Sequence, residues 1–365
     1  MPKIDDYVQL AAQTAREISA DGETWRSFLQ TASTLYKYGF YDQMMIYAQR
    51  PDATACASFE LWTNTMRRYV RRGAKGIALL DMTGDVPRYR YVFDISDTGT
   101  RQNARTPFTW TIREENSMPI AAMLEKEYGI SANRGLAGQL EEIAMQKAMD
   151  YWQEHQDELR DIVDGSLLME YDELNLELAF RNTATTGIQY MLLSRCGLAE
   201  EHRFEPEDFT TILEWNTPRA LSVLGTAVSE ISEEVLRSIE REARNVERSR
   251  PHAELQNGER LSDSRPENPG RTSDTGQVRR MRKAYLKAHR KMTFNSLLLT
   301  GELTAHLAEI DRTAGERVNR MVSEMAAAQG VNEALKERDP MAWVGAMNSL
   351  KAQAEEIVLT ELVYA

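Results

Sequence analysis

The sequence predicts an α+β N-terminal domain with a small antiparallel sheet, followed by mostly α-helical regions. Three observations carry this. An apolar run from Ile77 to Leu80 leads into turn chemistry at Thr83-Gly84-Asp85, and then Tyr89, Tyr91, Phe93 and Ile95 alternate with Arg88, Arg90, Val92 and Asp94, a strand period of two. Beyond about Asn116 the apolar spacing is helical and stays so. From Ser249 to Gln277 the chain is rich in Ser, Pro, Gly, Asn and Asp and almost without apolar residues, which separates one globular region from the next.

The elements follow in order. Asp5 to Ala20 and Glu23 to Tyr38 read as helices punctuated by Asp21-Gly22. Met44, Met45, Tyr47 and Ala48 give the next helix its apolar face, and Arg50-Pro51 stops it. Ser58 reads as the N-cap of a helix carrying Leu61, Trp62 and Met66. In the hairpin, the tyrosine side of the second strand is expected to be buried. The side with Arg88 and Arg90 is expected to be wet. Ala137 to Val163 and Glu177 to Ser194 are long helical stretches, the second closed by Cys196-Gly197. Asn216-Thr217-Pro218 starts a helix, and Ser232-Glu233-Glu234 opens another whose buried stripe is Ile231, Val235, Ile239, Ala243 and Val246. Past the polar stretch, Val318, Met321, Val322 and Met325 fall at i, i+3, i+4 and i+7. Together with Trp343 they are expected inside a small helical bundle. The expected domains are 1–115, 116–248, a disordered linker at 249–278, and 279–365.

At 365 residues, 42% hydrophobic and 27% charged, the chain has the composition of a globular protein with two or three cores. No uninterrupted apolar run approaches the roughly 20 residues needed to cross a bilayer, and the N-terminus lacks the layout of a secretory signal. A cytoplasmic protein without membrane contact is expected. Its two cysteines, Cys56 and Cys196, suit a reducing compartment. The net charge of -12 excludes a chain that coats nucleic acid over its whole surface. Charge is unevenly distributed, however. Basic and acidic residues nearly balance up to Trp110, acidic ones dominate about two to one from Thr111 to Arg250, and Arg279 to Lys291 holds seven Lys/Arg and no acid.

The densest chemistry lies in one short segment. Arg67, Arg68, Arg71, Arg72 and Lys75 are interleaved with Tyr69 and closed by Gly73 and Gly76, and cations beside aromatics are what holding a nucleic-acid strand requires. Backbone N–H groups at Gly-Ala-Lys-Gly add an anion-binding surface. The alternative is a solvated cationic face above a core built on Trp62 and Tyr69. Arg88 and Arg90 extend the candidate DNA-binding set along the strand, although surface strands also carry such residues for solubility. Arg279, Arg280, Arg282, Lys283, Lys287, Arg290 and Lys291 form a second basic patch, for a DNA backbone, an acidic partner, or solvent alone.

Two stretches resemble known families. Q-x-x-x-Y-A-Q-R-P from Gln43 to Pro51, E-L-W at Glu60 to Trp62 and R-R-G-A-K-G-I from Arg71 to Ile77 look like the N-terminal domain of ArdC-type antirestriction proteins. That resemblance covers roughly Trp25 to Trp110. It implies a single-stranded-DNA-binding domain of the kind found at the front of large conjugative-element proteins. The segment after Arg279, with MRKAYLKAHRKMTFNSLLLTGELTAHLAEID and DPMAWVGAMNSLKAQAEEIVLTELVYA, resembles TnpV, a small transposon-encoded protein. Together they imply a fusion protein of a mobile genetic element, a conjugative transposon.

Nothing in the sequence points to catalysis. The metallopeptidase hallmark H-E-x-x-H is absent, and His155, His202, His252, His289 and His306 never stand at i, i+4. There is no phosphate loop, GxGxxG or GxSxG motif. No metal, cofactor or catalytic residue is expected. The expected protein is a non-enzymatic accessory factor that binds single-stranded DNA with little sequence preference, with other conjugation or transposition proteins as further partners. The alternative is a protein–protein interaction module, or a recombination remnant of a larger protein, without DNA binding.

Overall fold

Local signals set the first three helices. α1 runs Ile4–Ser19, α2 Gly22–Thr34 and α3 Phe40–Gln49. The Asp21 side chain accepts from the backbone N–H groups of Glu23 and Thr24, so the residue read as punctuation between two helices is the N-cap of the second. The computed structural model describes residues 4–82, 84, 87–202, 204–249 and 276–364. Most of the expected linker, and the turn residues Thr83 and Asp85, lie outside the described residues.

The strands come next: β1 Cys56–Ser58, β2 Arg68–Val70, β3 Ile77–Asp81, β4 Arg88–Asp94 and β5 Thr98–Thr100. β4 is central in a three-stranded antiparallel sheet ordered β1-β4-β3, and β2 pairs with β5 in a separate two-stranded ribbon. Ser58 Oγ accepts from Leu61 N as a cap should, but the turn it opens, Leu61–Thr65, is π-helical.

The reading of β4 needs correction, because its faces are reversed. Val92 and Asp94 are the fully buried residues, while Tyr89, Tyr91 and Phe93 are partly or largely exposed. Register explains this. Val92 stands opposite Ile77 and Ser58, and Arg90 opposite Leu79, so these residues share the face that packs toward α3. Arg90 is tolerated there because its guanidinium pairs with Asp42 of α3. An alternating pattern marks two faces, not which of them is covered.

The remaining helices of the first unit are α4 Glu114–Tyr128, α5 Gly135–Ile162, α6 Glu173–Cys196, a four-residue α7 Ala199–His202, and α8 Pro218–Arg248. Gly197, at φ +74°, ends α6 in the left-handed conformation that favours glycine. Thr217 caps α8 by accepting from Ala220 N, with Pro218 in the first turn. α8 is one continuous helix, so the separate start expected at Ser232 is corrected. Ser232 is buried mid-helix, and nothing between Pro218 and Arg248 breaks the backbone. From Ala220 to Ser229 every residue of α8 is buried. A helix buried all round needs small residues where neighbours close in. Gly225 takes the ring of Phe40, since a Cβ there would lie 2.2 Å from Phe40 Cε2.

The described residues fall into two compact units, one up to residue 249 and the other from residue 276. The segments 1–115 and 116–248 both lie in the first unit. The Tyr36 hydroxyl donates to Glu240 Oε2 at 2.7 Å, and Trp110 Nε1 donates to the Tyr36 hydroxyl at 3.1 Å. Arg195 Nη1 donates to the Trp110 carbonyl at 3.0 Å, with its guanidinium carbon 3.7 Å from that ring's centre.

The second unit contains α9 Gln277–His289, α10 Lys291–Leu299, α11 Leu303–Ala328, α12 Glu333–Arg338 and α13 Pro340–Val358. Its buried residues include Leu286, Phe294, Leu299, Leu303, Leu350 and Val358. Val318, Met321, Val322, Met325 and Trp343 are half-buried, not the core they were expected to be. The buried residues come from α9, α10, α11 and α13. Among the described residues, no helix is long and apolar enough to cross a membrane.

Candidate nucleic-acid interface

The basic segment is built as a turn held from beneath. β2 carries Arg68, Tyr69 and Val70 into the ribbon with β5. Arg71 N then donates to Asp97 O at 2.8 Å, and Ala74 N donates back to Arg71 O at 3.1 Å. Asp97 is itself fixed by Arg50. Nη1 of Arg50 donates to both carboxylate oxygens at 3.1 and 3.0 Å, and Nη2 to Ser96 Oγ at 2.8 Å. Gly73 takes φ +89°, which a side chain would strain.

Asp94 is the anchor below this turn. Its Oδ2 accepts from Thr54 N and Ala55 N, and its Oδ1 from Ser96 N and Ser96 Oγ. Burial pushes the carboxyl up, but the hydrogen bonds from Ser96, Ala55 and Thr54 outweigh it and hold Asp94 below the usual carboxylate range.

Above the anchor, Arg67, Arg71, Arg72 and Lys75 are exposed and make no ion pair with any described residue. Arg68 is half-buried: its Nε donates to Thr98 Oγ1 at 2.8 Å and its guanidinium carbon lies 6.0 Å from the Trp62 ring centre. Trp62 is fully buried, with Nε1 donating to Phe93 O, so it belongs to the core and offers no ring to a ligand. Tyr69 is 42% exposed and its ring lies across Gly99, where a Cβ would meet Tyr69 Cζ at 2.3 Å.

The strand arginines divide. Arg88 is exposed opposite Asp81. Arg90 is committed to Asp42 on the inner face, so its placement on a wet DNA-facing side is corrected. One cation was missed. Arg101 is exposed and follows Thr100, the partner of Arg68, which sets it one step beyond the ribbon near Arg67. Only the register between segments thirty residues apart reveals it.

In the second unit the basic run is partly engaged. Arg279 pairs with Asp311 at 3.0 Å, and Arg282 Nη1 donates to Val363 O at 3.0 Å. Burial lowers the affinity of Arg282 for its proton. Arg280, Lys283 and Lys291 also have partners. Lys287 lies over the Phe294 ring, 5.6 Å from its centre. The run is therefore no uniform free stripe, although Arg290 has no ion-pair partner among the described residues. Among the described residues, no group of three or more His, Cys, Asp or Glu side chains is placed to hold a metal ion.

Residues 266–363 match the family described as transposon-encoded protein TnpV. The match covers the described part of the second unit almost completely and includes no described residue of the first. No curated protein and no solved structure matches the chain.

Proposed function

We propose that this chain is a non-enzymatic accessory protein of a transposon-type mobile element whose first unit binds single-stranded DNA. The mobile-element part follows from the TnpV match over residues 266–363, and the ArdC-like motifs of the first unit support the same setting. The observation that carries DNA binding is that Arg67, Arg71, Arg72, Lys75 and Arg101, which flank the two ends of the β2–β5 ribbon, are each exposed without ion pairs to described residues. In a chain of net charge -12, cations left uncompensated in one place favour an anionic ligand. Contacts to phosphate carry no sequence information, so binding is expected to be sequence-tolerant.

Fluorescence anisotropy of the full chain with a labelled oligothymidylate and with a duplex tests this. Affinity should fall as salt rises, with single strand preferred. Replacing Arg71, Arg72 and Lys75 by Ala should reduce the log–log salt slope by about 2, since each single-strand phosphate contact contributes about 0.7. An unchanged slope and affinity would remove the site.

A second reading, a protein-docking module, is favoured by the exposed apolar side chains Leu167 and Met169 in the turn before α6 and Leu174 and Leu178 in its first turns. Loss of self-association or partner capture on replacing Leu174 and Leu178 by Ser, with DNA binding absent, would select it.

A further inference from the structure

The reversed face of β4 leaves aromatic rings partly exposed on the outer side of the sheet. On the outer side of the sheet, Ala57, Trp62 and Met66 form a small buried cluster, with Phe93 and Ile95 packed partly against it. This cover stops short of Tyr91, which is 37% exposed, and of Phe59, which is 50% exposed. Phe59 meets Phe93 edge-on at 6.4 Å between ring centres, and Tyr91 meets Tyr89 at 6.3 Å. The basic turn runs directly into this row. A Cβ on Gly76 would lie 3.1 Å from Tyr91 Cδ1 and 3.2 Å from Phe93 Cζ, so the backbone at Gly76, next to Lys75, lies close against these rings.

We propose that Phe59, Phe93 and Tyr91 form a base-stacking platform for single-stranded DNA whose phosphates are held by the adjoining Arg71–Lys75 turn. This rests on the DNA-binding reading above and adds to it the part of the ligand each element takes. An exposed ring row alone would suit many partners. Placed against uncompensated cations, it suits one that offers flat apolar faces and a continuous anionic backbone together. Unpaired nucleic acid does so, whereas a duplex hides its base faces in the stack. Gly76 has a reason within the same scheme: with no side chain, it lets the cationic turn approach the rings closely enough for one strand to reach both.

The full chain is titrated with an oligothymidylate of about 20 nucleotides, an abasic strand of the same length, and a duplex. The base-bearing strand should bind more tightly than the abasic strand and the duplex. Tyr91→Ala and Phe59→Ala should each weaken binding to the base-bearing strand by about fivefold or more, near the lower end of the loss expected per stacked base. Abasic-strand binding and the salt slope should not change, and Tyr91→Phe should bind as the wild type does. Thermal melts establish that each variant is folded. Should Tyr91→Ala unfold, Phe59→Ala is decisive, because Phe59 is half-exposed. Equal binding of base-bearing and abasic strands, with the alanine variants unaffected, overturns the platform and leaves phosphate binding standing. Binding of no strand overturns both, and duplex bound as tightly as single strand overturns the platform.

Discussion

The hydroxyl of Tyr36 donates to Glu240 at 2.7 Å across 204 residues of sequence, at the centre of a charged cluster. Lys37 Nζ reaches Glu240 Oε1 at 2.8 Å and Arg244 Nη2 reaches the same oxygen at 3.2 Å. Burial alone would raise the Glu240 carboxyl. Lys37 first, then Tyr36 and Arg244, reverse that and hold it below the usual range. Removing one member of such a cluster strands the others in a poorly solvated place, which costs more than the pair itself contributes.

A fragment of residues 1–115 should therefore fail to fold on its own, although the DNA-binding elements all lie within it. It would lose Glu240 opposite Tyr36 and Lys37, and the α8 backbone against which Phe40 packs. Circular dichroism and a thermal melt should show no cooperative transition, whereas residues 1–249 should melt cooperatively. A sharp transition for the short fragment would overturn the single-unit architecture.

The anchor at Asp94 sets a pH dependence whose sign is fixed. Its folded carboxyl lies below the ordinary value, so its contribution is fully present above an unfolded pKa of about 3.9 and is lost as pH falls through the folded value. Asp94→Asn keeps the shape but turns an amide N–H₂ toward donors on one side. At pH 7 the variant should be less stable by about 2–4 kcal/mol, as hydrogen bonds to a buried charge are lost. That gap should narrow below about pH 4, where the unfolded wild-type chain takes up a proton that folded Asp94 does not yet accept. Denaturant melts of both proteins across pH 3–7 check this, and a gap constant with pH would exclude it.

The two cysteines are expected to be inert in the folded protein. Both are buried and unpaired. Burial, with the nearby Asp94 charge, pushes the Cys56 thiol far up, and burial raises Cys196 to about 12 despite Arg195 beside it. The thiolate is the reactive form, so alkylation at pH 8 should be slow for the native chain and rapid in denaturant. Mass spectrometry of the alkylated chain reports it. Fast modification of either thiol under native conditions would place it at the surface.

How much of this was legible depended on how local each signal is. Asp21, Thr217-Pro218 and Gly197 were read correctly because a cap acts within four residues. The sheet was recognisable from its period, but which face was covered depended on α3 and on Asp42 receiving Arg90, a tertiary fact. Trp62 and Tyr69 sat equally well in a core or a site until register put one under Phe93 and the other over Gly99. The motifs Gln49-Arg50 and Glu60-Leu61-Trp62 looked like markers of DNA binding, yet the side chains of Gln49, Arg50 and Trp62 build the scaffold. Gln49 grips the edge of β3 at both Ala78 N and Ala78 O, each at 2.9 Å, and Arg50 positions the turn through Asp97.

Gly225 offers the sharpest test of the packing, because two effects oppose each other there. Replacing a mid-helix glycine by alanine ordinarily stabilises by about 1 kcal/mol through backbone entropy and helix propensity. At Gly225 of α8, however, a Cβ would lie 2.2 to 2.5 Å from three carbons of the Phe40 ring. Phe40 is fully buried and stands edge-on to Phe28 at 5.8 Å, so the ring has nowhere to swing. Overpacking of this kind costs about 1–3 kcal/mol or more, and it should win. Gly225→Ala should lower the melting temperature of the first unit, and Gly225→Ala with Phe40→Leu should recover part of the loss by making room. Gly315, in α11 of the second unit, is the control: a Cβ there meets nothing within 4 Å, and Gly315→Ala should stabilise. If Gly225→Ala raised stability as Gly315→Ala does, the close approach of α3 to α8 would be wrong.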